Sequence, residues 1–189
     1  MKSAHEIIIA GFGGQGVLSM GQIIAYAAMK EGKEVSWMPS YGPEMRGGTA
    51  NCIVIVSDSR ISSPIITKFD TAILLNQPSL EKFEAAVKPG GLLIYEKSSI
   101  VLPPTRIDIE ILGIHGLEEA QKLKSKQVTN MVLLGAFLDR RPIVQPEHVV
   151  DVLHSVLPAH RQHLIPMNEQ ALIRGKELAR ETVSEMVER

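Results

Sequence analysis

Glycine occupies four of the six positions between Gly11 and Gly16, directly behind the apolar residues Ile7, Ile8, Ile9 and Ala10. A short apolar run that stops at glycine reads as a strand buried on both faces, the kind found inside parallel sheets. After the glycines, Val17, Leu18, Met20, Ile23, Ile24, Ala27 and Ala28 recur at helical spacing as far as Gly32, a C′ residue. Residues 34–38 return to a strand pattern. Strand, glycine loop, helix and strand make a βαβ opening, for which the crossover should be right-handed.

Gly11, Gly13 and Gly16 fit the spacing G-x-G-x-x-G in the strand-to-helix context that a dinucleotide site requires. Glycines let a backbone approach a ligand closely, and a helix N-terminus offers free N–H groups to an anion. The dinucleotide reading also needs an acid at the end of the second strand to hold ribose hydroxyls. Here that strand ends Trp37-Met38-Pro39-Ser40, while Glu31 and Glu34 stand at its beginning. Three readings remain: an autonomous Rossmann-type nucleotide-binding oxidoreductase, a phosphate or anion seat without a dinucleotide, and a tight turn serving helix–sheet packing. Gln15 and Ser19 would add donors to the second.

The rest of the chain continues the alternation. Residues 51–58, 71–76, 92–95 and 107–114 read as strands, and Pro64 limits residues 61–66 to an edge piece. Pro78 and Ser79 open a helix that Pro89-Gly90-Gly91 closes. Beyond His115 the pattern is helical: residues 117–123, 130–138, a helix with Pro146 at its first position, and one capped by Asn168 and running to the end. From Arg174 onward the charges read as a solvated helix face. The fold class is therefore α/β, a mostly parallel sheet in a Rossmann-like three-layer arrangement with a helical C-terminal third. The expectation is a single domain over 1–189, with the α/β core at 1–115 and the helical part at 116–189.

A second loop, Tyr41-Gly42-Pro43-Glu44-Met45-Arg46-Gly47-Gly48, should lie beyond the carboxyl end of the second strand, where open sheets meet ligands and partners. Arg46 can bind a phosphate or carboxylate bidentately, or can pair with Glu44 and fix the loop.

Composition removes several function classes. The net charge is −1, so duplex nucleic acid finds no basic field. One tryptophan, three tyrosines and four phenylalanines are few for a single-strand stacking platform. No apolar run is long enough to span a bilayer or serve as a signal segment. One cysteine rules out a disulfide framework or a multi-thiolate metal or cluster site made by this chain alone, and suits the cytoplasm. His154, His160 and His163 read as scattered surface histidines, no G-x-S-x-G elbow is present, and Cys52 reads as a core residue.

The opening IIIAGFGGQGV, the loop SYGPEMRGG running into TANCIVIVSD, and the following ISSPII together resemble the gamma subunit of 2-oxoacid:ferredoxin oxidoreductases, of the 2-oxoglutarate or branched-chain 2-oxoacid type. The resemblance covers residues 5 to about 140, and the last third is similar only in general terms. It implies a subunit of an oxidoreductase that oxidatively decarboxylates a 2-oxoacid, forms the acyl-CoA and reduces ferredoxin. It implies thiamine diphosphate and iron–sulfur clusters on partner alpha, beta and, where present, delta subunits, with no catalytic or metal-binding residue in this chain. The isolated chain would be inactive, and could pair as a homodimer. On the same resemblance Gly13, Gly14, Gln15 and Gly16, with Tyr41, Glu44 and Arg46, are the candidate contacts for coenzyme A.

Overall fold

A computed structural model describes residues 4–41 and 49–187, the side chains of Tyr41 and of residues 183–187 excepted. Six strands form one sheet: β1 (Ala4–Phe12), β2 (Glu34–Tyr41), β3 (Thr49–Ser57), β4 (Phe69–Leu74), β5 (Val87–Glu96) and β6 (Glu110–Ile114). Their order across the sheet is β2-β3-β1-β4-β5-β6. The pairs β1–β4, β4–β5 and β5–β6 are parallel, and β3 runs antiparallel to both of its neighbours. Five strands thus point one way and β3 alone opposes them.

Parity sorts the side chains. In β1, Ile7 and Ile9 face one side of the sheet, and Ile8 and Ala10 the other. The first side carries α1 (Val17–Lys30), α3 (Gly116–Lys122), α4 (Thr129–Arg140), α5 (Pro146–Val156) and α6 (Ile165–Val187). The second side carries α2 (Gln77–Phe83), with Leu80 packed on Leu74 and Leu93. Asn76 caps α2, its side chain accepting from Ser79 N–H at 2.9 Å, and Pro78 sits in the first turn where its missing N–H costs nothing. The three-layer α/β expectation is met, with most of the helical mass on one face.

Several local expectations are corrected. First, β2 does not lie beside β1, because β3 is inserted between them, so the opening βαβ is split. Second, residues 61–66 form no strand. Third, Pro89-Gly90-Gly91 does not follow a helix end but lies inside β5, where the pairing with β4 slips between Phe69 and Thr71. A bulge absorbs the residues that turn chemistry would otherwise mark as a break. Fourth, Asn168 caps nothing at an N-terminus: α6 already begins at Ile165, and the Asn168 Nδ2 donates to Leu164 O at 2.8 Å. The last strand is also shorter than its apolar pattern, covering Glu110–Ile114.

Nor is the polar side of α6 merely solvated. Arg174 donates to Glu119 of α3 at 2.8 Å and to Glu177 and Glu181 on its own helix, and Arg180 pairs with Asp139 of α4 at 2.9 Å. These pairs set the register of α6 against α3 and α4. Among the described residues no helix is long and apolar enough to cross a membrane.

Candidate functional site

The site is built where β1 stops. Gly14 and Gly16 both take left-handed backbone conformations, φ 92° and 76°, which a side chain would strain. Gly16 is the N-cap of α1, and Met20 N–H bonding to Gly16 O at 2.9 Å closes the first turn. The N–H groups ahead of Met20 have no partner inside the helix. With no acid in that turn, the positive end of the helix dipole is left for an external anion.

Gln15 holds the turn from within. Its Oε1 accepts from Phe12 N–H at 2.6 Å and its Nε2 donates to Leu75 O at 3.3 Å, so its carboxamide ties the loop to the end of β4.

A cavity of about 450 Å³ opens over this turn. Gly13, Gly14, Gly16 and Ser19 form one wall, and the start of α4 forms the next with Asn130 and Met131. Leu153 of α5 and Leu157 just beyond its end close the apolar side, and Arg161 and Asn168 stand at the far rim. The amino ends of α1 and α4 therefore open on the same space. Asn130 is 7% exposed, and its Nδ2 donates to Gly16 O at 3.3 Å. Among the described lining residues Arg161 is the one ionisable side chain. The lining can bind an anion and wall an apolar arm, but among its described residues it offers no carboxylate, histidine or thiol to move a proton or attack a carbon.

The sequence-predicted residues divide as follows. Gly13, Gly14 and Gly16 meet at the cavity, and Gln15 supports them from behind. Tyr41 is the last residue of β2, whereas Glu44 and Arg46 lie outside the described residues. The strand ends flanking that segment are placed: Phe12 pairs with Thr49, and Ala50 with Tyr41. Ala50 also lines the cavity. The stems of the second loop thus rise from the same edge as the glycine turn.

Asn130 and Arg161 were not anticipated as site residues. Asn130 was legible only as a polar residue heading an apolar helix, and Arg161 only as part of a basic, histidine-containing stretch. The split βαβ also removes the geometry of a dinucleotide site. With β3 beside β1, the end of β2 is one strand further from the glycine turn than a ribose-binding acid would need to be.

Cys52 is buried in β3 with its thiol on Val17 O at 3.5 Å, and burial pushes it up to about 12. Such a thiol is a core residue and no nucleophile. One cysteine in the whole chain does not fit an iron–sulfur cluster. Among the described residues no group of three His, Cys, Asp or Glu side chains is placed to hold a metal ion.

Residues 6–178 match the pyruvate ferredoxin/flavodoxin oxidoreductase family, so the match extends past residue 140 into the helical third. The chain is 38% identical over 178 residues to the ketoisovalerate oxidoreductase subunit VorA of Methanothermobacter thermautotrophicus, covering 94% of this chain and 37% of that one. It thus spans little more than a third of that relative's length. The keto/oxoacid ferredoxin oxidoreductase gamma subunit of Geobacter sulfurreducens superposes with a TM-score of 0.79 at 29% identity, covering 93% of this chain and 98% of that one. The 2-oxoglutarate:ferredoxin oxidoreductase of Magnetococcus marinus, solved with 2-oxoglutarate, coenzyme A and succinyl-CoA, superposes with a TM-score of 0.86 at 28% identity over 96% of this chain and 32% of that one.

Proposed function

The chain belongs to the pyruvate ferredoxin/flavodoxin oxidoreductase family, and from that premise we propose that it acts as the gamma subunit of a multi-subunit 2-oxoacid:ferredoxin oxidoreductase. The substrate would be a 2-oxoacid such as 2-oxoglutarate or a branched-chain 2-oxoacid. Partner alpha, beta and, where present, delta subunits would carry the thiamine diphosphate and iron–sulfur clusters, with ferredoxin as the electron acceptor. The reading is of one domain, since a single core joins the sheet to α4, α5 and α6. We place it in the cytoplasm, which its single cysteine suits.

The observation that carries the proposal is the cavity lining. It pairs an anion seat with apolar walls, and its described residues include no carboxylate, histidine or thiol that could activate the Ser19 or Ser125 hydroxyl. That is the equipment of a subunit that binds and orients while other chains do the chemistry. Coenzyme A fits such a lining by its charge and its flexible arm. When bound, it supplies the thiol that takes up the acyl group. This chain's own part is to seat an anionic group at Gly13, Gly14 and the first turn of α1, and to keep water from the arm with Leu153 and Leu157. Gln15 braces that seat. Tyr41, Glu44 and Arg46 would meet the ligand or a partner from the neighbouring strand ends.

Co-expression with candidate alpha and beta chains tests this. The chain should co-purify with them, and 2-oxoacid-dependent ferredoxin reduction should appear only in the assembled preparation. Activity from the isolated chain, or failure to co-purify with every such pair from the same genome, would contradict it.

A further inference from the structure

The two outer strands of the sheet are finished differently. At one side, β6 is five residues long, and its Glu110 is held by Arg140 and Arg141 at the end of α4. At the other, β2 runs for eight residues and, among the described residues, pairs only with β3. From Val35 to Met38 it carries no charge. A long uncharged edge offers its free backbone groups to another strand. Pro39 shows which groups are free. The β2–β3 ladder passes through Pro39, opposite Cys52, without a shift in register. Proline has no N–H to give, so it takes a position whose N–H direction points away from β3. Residues alternate along an antiparallel pair, so Val35 and Trp37 also turn their N–H and C=O groups outward. This outward row is bounded at both ends. Pro39 accepts but cannot donate, and the Lys33 N–H already bonds to Ala28 O at 3.1 Å.

We propose that β2 is a self-recognition edge, at which two copies of this chain pair antiparallel about a two-fold axis at Ser36 and join their sheets. The two ends of the row set the register. With Ser36 opposite Ser36 of the second copy, Val35 faces Trp37 of the second copy, and the two exchange both backbone bonds, once on each side of the axis. Every outward N–H and C=O of Val35 and Trp37 is then used. Pro39 falls opposite Lys33 of the second copy, so the two positions with no donor to offer meet each other. The adjacent registers that keep the faces matched set Pro39 against Val35, or Lys33 against Trp37, and each leaves a carbonyl unanswered. A foreign strand carries no such matching gap, so the pattern selects a second copy. The side chains agree. Val35 and Trp37 lie on the α1 face, half-buried, and meet as an aromatic against a β-branched residue. Glu34 meets Met38, and no like charges stand opposite each other. The inference concerns assembly of the chain with itself and is independent of the ligand seat.

Crosslinking of the full chain tests axis and register together. Ser36 would stand opposite its own copy at a non-hydrogen-bonded position, where Cα atoms lie about 4.5 Å apart, within disulfide range. Met38 would stand four residues along from its own copy, about 13 Å away. Under mild oxidation Ser36→Cys should therefore form a disulfide-linked dimer at least about tenfold faster than Met38→Cys, whose sulfurs cannot meet across the seam. Cys52 is buried, with its thiol pushed up to about 12, and stays out of the reaction. Sedimentation of the wild type should give twice the mass of one chain. Val35→Pro removes an outward N–H and no bond to β3, and should give the mass of one chain at the same concentration. Should Val35→Pro fail to fold, the two cysteine variants decide. Equal crosslinking by both of them, or a wild type that sediments as one chain, overturns the inference. So does an edge whose residues 34–39 are protected from hydrogen exchange only in the complex with alpha and beta chains, which would assign it to a strand of those partners.

Discussion

Glu31 follows the last turn of α1, where a carboxylate faces the negative end of its own helix. Its partners come from elsewhere. Gln145 N–H, at the cap of α5, donates to Glu31 Oε1 at 2.6 Å, His148 Nδ1 lies 2.9 Å from the same oxygen, and Lys33 pairs at 3.0 Å. Burial pushes this carboxyl up, yet the Gln145 amide, His148 and Lys33 outweigh it and hold the group at about 2. Glu31 thus caps α5 from another helix, fixing the end of α5 opposite its cavity-lining residues. A carboxyl depressed from 4.5 to about 2 contributes its full stability above pH 4.5 and loses it as the pH falls toward 2. Glu31→Gln should therefore cost about 1.5–3 kcal/mol near pH 7, the range for hydrogen bonds to a charged group. The gap between variant and wild type should narrow as the pH falls below about 4.5 and close only as it nears 2. Thermal melts across pH check this, and a gap that is constant with pH would contradict the ion-based account.

Among the elements, α4 and α6 approach until their backbones touch. A Cβ at Gly135 would collide with the Leu172 backbone, and one at Gly175 with the Val132 and Ala136 backbones. Gly135→Ala must push the helices apart, and overpacking of this kind costs about 1–3 kcal/mol or more. The midpoint of urea unfolding should fall accordingly. An unchanged midpoint would mean that the two helices do not pack as described. The separate elements were largely legible, because β1, its glycine turn and α1 are specified by neighbours in sequence. Pairing across the sheet was not. The insertion of β3 beside β1 joins Phe12 to Thr49, and no local pattern announces that. Pro89-Gly90-Gly91 misled for a related reason, since the partner strand turns a local break signal into a bulge. Asn130 escaped notice because its partner Gly16 is 114 positions away.

At the scale of the molecule, one edge of the sheet gathers the glycine turn, the amino end of α4, the rim residue Arg161 and the stems of the second loop. The opposite edge is closed by ion pairs, with Glu110 of β6 held by Arg140 and Arg141 at the end of α4. This polarity is the basis for reading the chain as a binding and docking subunit whose active site is completed elsewhere. Hydrogen–deuterium exchange on the chain alone and in the co-purified complex tests that claim most directly. The account predicts that assembly slows exchange in residues 12–19, 49–50 and 125–131, with little change around 110 and 140–141. Protection confined to the Glu110 edge, with the glycine turn exchanging as freely as in the isolated chain, would contradict it.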